Sequence, residues 1–259
     1  MPRHSNGQAL GKLVNAECRA IVQALLGRKA VHTRVHEARK AIRRTRALLA
    51  LAEDGEAPFD VGPADRILQR VGDGLSRLRD AHAAIETARE VGKQTSPKLW
   101  RPVVDALRER SAVLVAHELQ MDPGFMRRAA TVEGAQHYLD QLPWAELTGK
   151  QVREGLQRQR QRVERAARRA GKHPDVEHLH SWRRKVRRLR MQVEAMPRIR
   201  SGGAKTPGAP KSKALHKLSD VLGREQDLHV LDRLLRRLPD IPERKTLRAE
   251  LAALAQSSS

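Results

Sequence analysis

Two stretches decide the fold. One reads Val35-His36-Glu37-Ala38-Arg39-Lys40-Ala41-Ile42-Arg43-Arg44-Thr45-Arg46, the other Leu179-His180-Ser181-Trp182-Arg183-Arg184-Lys185-Val186-Arg187-Arg188-Leu189-Arg190. Without a gap, each His of the first segment returns as His and each basic residue as Arg, from His36 and His180 through Arg46 and Arg190. The apolar positions return with them: Val35, Ala38, Ile42, Thr45 and Leu49 against Leu179, Trp182, Val186, Leu189 and Val193. Steps of three and four between apolar residues are the period of an amphipathic helix.

Each copy is followed by a second matched segment. Leu75-Ser76-Arg77-Leu78-Arg79-Asp80-Ala81-His82 resembles Leu222-Gly223-Arg224-Glu225-Gln226-Asp227-Leu228-His229. An ordered double match implies an internal duplication and two halves of similar structure, here 8–142 and 146–255. The rest of the chain is rich in Ala, Leu, Arg, Gln and Glu at helical spacing, and no stretch alternates long enough to suggest a sheet. The pattern predicts helices over 8–28, 31–53, 63–90, 97–119, 125–141, 146–170, 174–196, 211–238 and 242–255. Gly and Pro punctuate the breaks, and the 201–210 stretch, rich in Gly and Pro, reads as a linker.

On a helical wheel of about 100° per residue, the apolar positions of the first copy fill a sector of about 80°. His36, Arg39, Arg43 and Arg46 fill another, centred about 100° away. The basic row therefore flanks the core-facing stripe and carries no acid between its members. Identical spacing predicts the same geometry for His180, Arg183, Arg187 and Arg190. Like charges stacked a turn apart repel by a few tenths of a kcal/mol per pair, about as much as an opposite pair gains. Repetition of that cost in both halves points to an anion that neutralises it. Arg suits phosphate oxygens because its planar fork grips them in pairs and stays charged.

Whole-chain charge agrees. Lys and Arg number 51 against 30 Asp and Glu, a formal net charge of +21 over 259 residues. A field of that sign concentrates any polyanion near the protein. Aromatic residues are only 2% of the chain, so the stacking platforms used to grip single-stranded nucleic acid are scarce. Cys18 is the single cysteine, which excludes an intramolecular disulfide and a Cys-based zinc site. His32 and His36 could reach one ion, but no further ligand stands at a convincing spacing and Val176 replaces His32 in the second copy; no metal and no cofactor are expected. No apolar run approaches the ~18 residues of a membrane span, and no signal core opens the chain, so a soluble cytoplasmic protein without membrane contact is expected. Asp80 and Asp227 read either as supports that orient an arginine or as surface ion pairs, and His82 as a core histidine.

The doubled His-x-x-Arg-x-x-x-Arg-Arg-x-Arg helix, each copy followed by Leu-x-Arg-x-x-Asp-x-His, resembles the CHAD family, the conserved-histidine α-helical domain, over about residues 8–240. The resemblance implies an all-α fold of two pseudo-symmetric four-helix bundles packed around a central basic cavity. It also implies binding of inorganic polyphosphate without catalysis, and some family members are associated with polyphosphate granules. Carried onto this sequence, the binding candidates are His36, Arg39, Arg43 and Arg46, then His180, Arg183, Arg187 and Arg190, with Lys217 and Arg224 as weaker additions. Thr45 departs from the family pattern, which has Leu there. The Glu-x-Glu-x-Lys strands of a triphosphate-tunnel domain, a common companion of this family, do not occur, so a stand-alone binding module is expected. The alternatives are nonspecific, charge-driven nucleic-acid binding and a phosphate-chain-processing enzyme; the latter lacks an acidic cluster to hold Mg²⁺.

Overall fold

A computed structural model describes residues 5–173, 175–199 and 212–256. Among these residues the secondary structure is helical throughout: α1 (Asn6–Leu26), α2 (Val31–Asp54), α3 (Gly62–Gly74), α4 (Ser76–Gln94), α5 (Pro97–Met121), α6 (Met126–Asp140), α7 (Gly149–Lys172), α8 (Val176–Ile199), α9 (Ser212–Leu235) and α10 (Arg244–Gln256). Short 3-10 turns at Pro123–Phe125 and Trp144–Glu146 join the helices on either side of α6. The linker read at 201–210 lies outside the described residues. The all-α class expected from the sequence is the class found.

The helix starts follow local chemistry. Ser5 and Thr148 open α1 and α7 with capping boxes, in which the hydroxyl accepts from the backbone N–H of Gln8 or Gln151 and the glutamine side chain returns the bond. Pro97 sits in the first turn of α5, where a missing N–H costs nothing. One sequence expectation is corrected. The single helix read over 63–90 is two, parted at Leu75, just after Gly72 and Gly74. Two glycines weaken that turn, and the Gly72 carbonyl accepts a hydrogen bond from Arg39 Nη1.

The chain divides into two compact units: Met1–Gly74 with Gly124–Ser219, and Leu75–Pro123 with Asp220–Ser259. The boundary read between 8–142 and 146–255 falls inside the Gly124–Ser219 stretch of the first unit.

In the first unit α2 is the central helix. It packs on α1, α3, α7 and α8, while α6 lies on α1 and α3. Its apolar stripe is buried as the wheel requires, with Val35, Ala38, Ile42, Thr45 and Leu49 at 3% exposure or less. Thr45 is tolerated there because its hydroxyl donates to the Ala41 carbonyl at 3.0 Å. Close helix contacts rest on glycines: a Cβ on Gly155 of α7 would stand 2.3 Å from the Leu51 carbonyl oxygen of α2, and one on Gly7 would stand 2.0 Å from the Trp144 carbonyl oxygen. Phe125, fully buried, leads into α6 at φ 64°, directly after Gly124 at φ 61°. Such a backbone costs a non-glycine residue about 1–2 kcal/mol, offset by burial of the ring beneath the guanidinium groups of Arg34 and Arg128, 5.0 and 5.6 Å from its centroid.

The second unit is held by a core of Ile85, Ala88 and Val91 from α4, Trp100, Val103 and Leu107 from α5, Leu228, Leu231 and Leu235 from α9, and Leu247 and Leu251 from α10. Glu250 of α10 fastens the start of α5: it accepts from Ser96 Oγ at 2.6 Å and from Trp100 Nε1 at 2.7 Å. His82 is a half-buried edge residue whose Nε2 lies 3.5 Å from Glu86, not a core histidine.

Candidate functional site

Helix propensity and the buried stripe together fix where the basic residues of α2 project. Arg39, Arg43 and Arg46 are half-buried, and His36, a turn earlier, is exposed. The Nε atoms of Arg39 and Arg43 are shielded from solvent, so the aliphatic stems lie along neighbouring helices and the charged forks extend beyond them. Arg39 gives one nitrogen to the Gly72 carbonyl. Arg46 is gripped by Asp65 of α3, Nε to Oδ1 at 2.8 Å and Nη2 to Oδ2 at 2.9 Å, with Gln69 accepting from Nη2 at 3.1 Å. The bond to Asp65 raises the Arg46 pKa further above its ordinary value. A planar two-point grip of this kind is the strong form of an Arg–carboxylate bond, so Arg46 already holds an anionic partner.

The row on α8 has the same residues but a different setting. His180, Arg183, Arg187 and Arg190 are all half-buried, and the Nε atoms of Arg183 and Arg190 are shielded. Identical spacing does not give identical burial: Leu179, Trp182 and Val193 of the apolar stripe are only partly covered, whereas Gln192 is fully buried and donates to the Ala47 carbonyl of α2 at 2.9 Å. The buried face of α8 has rotated toward Gln192, Met196 and Ile199. Its neighbours differ from those of α2, and neighbours decide which flank is covered. At the end of this row Arg190 Nη1 lies 2.7 Å from His216 Nδ1 of α9, and the partner of that imidazole is Glu194, 2.7 Å from Nε2. Glu194 is 3.9 Å from Arg190 Nε itself.

Both rows therefore belong to the first unit, on helices that pack against each other. Lys217 is exposed on the stretch of α9 counted with that unit. Arg224 belongs to the second unit, where it is exposed and donates to Gln94 at 2.8 Å. Asp80 and Asp227 are both exposed.

One set of basic residues was missed by the sequence reading. Arg158, Arg162 and Arg169 follow one face of α7, and α8 adds Lys185 and Arg188. Burial, followed by the charges of Arg184, Arg169, Arg188 and Arg162, lowers the Lys185 pKa. The Arg188 pKa is also lowered, by burial first and then by Arg46, although Asp65 and Asp54 oppose the shift. The signal was present as the run of arginines through 153–169, but α7 has no counterpart in the doubled motif. Its arginines alternate with Gln and Glu and form no uninterrupted basic row.

Among the described residues no group of three His, Cys, Asp or Glu is arranged to hold a metal ion, and no helix is long and apolar enough to cross a membrane. Cys18 is fully buried, and burial, reinforced by Asp140 and Glu17, pushes its thiol up to about 12.

No curated protein matches the sequence. The crystal structure of the CHAD domain from the plant Ricinus communis superposes with a TM-score of 0.74, over 98% of this chain and 88% of that one, at 18% sequence identity. At that identity the match speaks for the fold. The family model of the CHAD domain matches residues 13–236, and with the doubled histidine–arginine helix buried and oriented as described, the chain belongs to the CHAD domain family.

Proposed function

We propose that this protein binds inorganic polyphosphate, without catalysis, through the rows His36, Arg39, Arg43, Arg46 and His180, Arg183, Arg187, Arg190. Lys217 and Arg224 add to the attracting field. The observation that carries the reading is that six arginines, a helical turn apart in two rows, are all half-buried. Burial of like charges side by side costs free energy, and a polyanion laid along the rows lowers that cost. Polyphosphate offers about one negative charge per unit on a single flexible chain, spaced more closely than the phosphates along one strand of DNA. Its oxygens require charge and fork geometry and no base reading.

Two carboxylates beside the rows support a non-catalytic reading. Asp65 is engaged by Arg46, and Glu194 by His216, so both neutralise cations in place of gathering Mg²⁺ for phosphoryl transfer. The test is a competition titration at about 150 mM salt, a physiological level of screening. Labelled long-chain polyphosphate is displaced by unlabelled duplex DNA, single-stranded RNA or short phosphates. Polyphosphate is expected to hold against a large excess of nucleic acid. Displacement by DNA or RNA at equal charge would transfer the assignment to nucleic-acid binding. Arg43→Glu with Arg187→Glu is expected to abolish binding while helicity by circular dichroism stays unchanged.

A further inference from the structure

We infer that His216 of α9 is a proton-dependent positioning residue for Arg190: it holds that guanidinium while neutral and releases it toward an anion once protonated. This role rests on the reading of the rows as the anion-binding surface, and the doubled motif does not carry it. Three side chains form the device. Arg190 Nη1 lies 2.7 Å from His216 Nδ1 and 3.4 Å from Nε2 of the same ring. Glu194 Oε1 lies 2.7 Å from His216 Nε2 and 3.9 Å from Arg190 Nε. Arg190 and Glu194 stand one turn apart on α8, so the imidazole of α9 meets a pair on one helix face.

These distances fix the protons. A guanidinium donates at every nitrogen and accepts at none, so the nearer ring nitrogen, Nδ1, accepts from Arg190 on a bare lone pair. The ring proton then stands on Nε2, where the Glu194 carboxylate accepts it. Only the neutral imidazole with its proton on Nε2 satisfies both contacts. In that state the Arg190 side chain, 16% exposed, has one arm of its fork committed to a histidine.

A second proton reverses the arrangement. It enters at Nδ1, the ring position still bare, and sets an N–H against the Arg190 N–H. Two donors and two positive charges then face each other, and the bond is lost. The imidazolium keeps Glu194 through a charge-assisted bond, so the carboxylate stays engaged as Arg190 leaves. Arg190 is released with its planar fork intact, one turn beyond Arg187 in the row. Histidine changes charge between about pH 5 and 8, and the His216 side chain, 49% exposed, meets solvent protons directly. The other charges within a turn of it along α9 are Lys213 and Lys217, which oppose protonation, and Asp220, which favours it; all three are exposed. Arg46, at the same place in the first row, is held by the carboxylate of Asp65 and not by an imidazole, so the control belongs to the second row alone. Anion affinity of that row therefore rises as pH falls, and by reciprocity a bound anion favours the protonated ring.

The experiment uses the full chain at about pH 8 and about pH 5.5, toward either end of the range in which histidine changes charge. Nitrogen-15 NMR of the protein without ligand distinguishes bare from protonated ring nitrogens. At the higher pH His216 is expected to show a bare Nδ1 and a protonated Nε2; at the lower pH both are protonated and the Arg190 side-chain resonances move. A protonated Nδ1 at the higher pH, or Arg190 resonances indifferent to pH, overturns the inference. Labelled long-chain polyphosphate is then titrated at fixed salt. His216→Gln can accept from Arg190 and donate to Glu194 as the neutral ring does, but takes up no proton. Wild type is expected to gain about tenfold more affinity on acidification than His216→Gln; His36 and His180, present in both proteins, cancel in this comparison. Equal gains overturn the positioning role. The excess is expected to vanish when Arg190→Met is added to both proteins, and an excess that persists comes from the imidazolium charge itself and overturns the release of Arg190. A protein that shows the NMR transition yet binds no polyphosphate at either pH refutes the polyphosphate reading and leaves the release of Arg190 standing.

Discussion

The grip of Asp65 on Arg46 makes the six row arginines unequal, and salt dependence reads that inequality directly. Each phosphate neutralised on a flexible single strand contributes about −0.7 to the slope of log affinity against log salt. Six equivalent arginines would give a slope near −4. With Arg46 bonded at 2.8 and 2.9 Å to both Asp65 oxygens, its share is lost, and the other five at full weight would give a slope of about −3.5 and a roughly 100-fold loss of affinity between 50 and 200 mM salt. Arg43→Gln is expected to flatten the slope to about −2.8, whereas Arg46→Gln leaves it nearly unchanged. Asp65→Asn releases Arg46 and is expected to steepen the slope toward about −4 and to strengthen binding at low salt. Fluorescence titrations of labelled long-chain polyphosphate over a salt series supply the slopes, with circular dichroism as the control for folding. An Arg46→Gln slope as flat as that of Arg43→Gln, with Asp65 intact, would refute the reasoning. A slope indifferent to every row substitution would remove the rows from the binding surface.

Three further outcomes follow from single contacts. Cys18, fully buried with its thiol pushed up to about 12, is expected to resist thiol reagents at neutral pH until the protein unfolds; rapid native labelling would show that α1 opens locally. Gly155→Ala places a methyl group 2.3 Å from the Leu51 carbonyl oxygen, so α2 and α7 must separate. The roughly 1–3 kcal/mol cost of overpacking outweighs the ~1 kcal/mol gained in helix propensity, and calorimetry is expected to show a lower melting temperature; a higher one would contradict the close approach. Glu250 loses some of its hold when exchanged for Gln, on the order of 1 kcal/mol for bonds from Ser96 and Trp100 that no longer meet a charge. Burial alone would raise the Glu250 pKa, but donation from Ser96, Thr95 and Trp100 holds it below the ordinary value. Its stabilisation is therefore complete above the ordinary glutamate pKa and fades as pH falls through the depressed one. Denaturant titrations of wild type and Glu250→Gln should converge below that pH, and a constant gap would count against the carboxylate.

Much of the local structure was legible from the chain alone. The doubled segment at 35–46 and 179–190 identified two amphipathic helices and their basic flanks, because a period of 3.6 residues fixes which side chains share a face. The buried stripe of α2 could be named residue by residue for the same reason, including Thr45, whose hydroxyl finds a partner one turn back on its own helix. Capping chemistry and proline set the starts of α1, α5 and α7 in ways a short window reveals.

Tertiary structure alone decided the rest. Periodicity is a property of one helix, whereas burial and ion pairing depend on which helix lies beside it. The two copies share their spacing, yet α8 turns toward Gln192 because that amide reaches the Ala47 carbonyl of α2, a partner far away in sequence. Arg46 and Arg190 occupy the same place in the motif, but one meets Asp65 of α3 and the other His216 of α9. Arg188 lies outside the basic row on the wheel, and only the tertiary structure sets it, half-buried, within electrostatic reach of Arg162 of α7 and Asp54 of α2. The sequence by itself determined helices, faces and charge, and only their assembly decided which charges are compensated, because compensation is a distance between residues that the chain order does not contain.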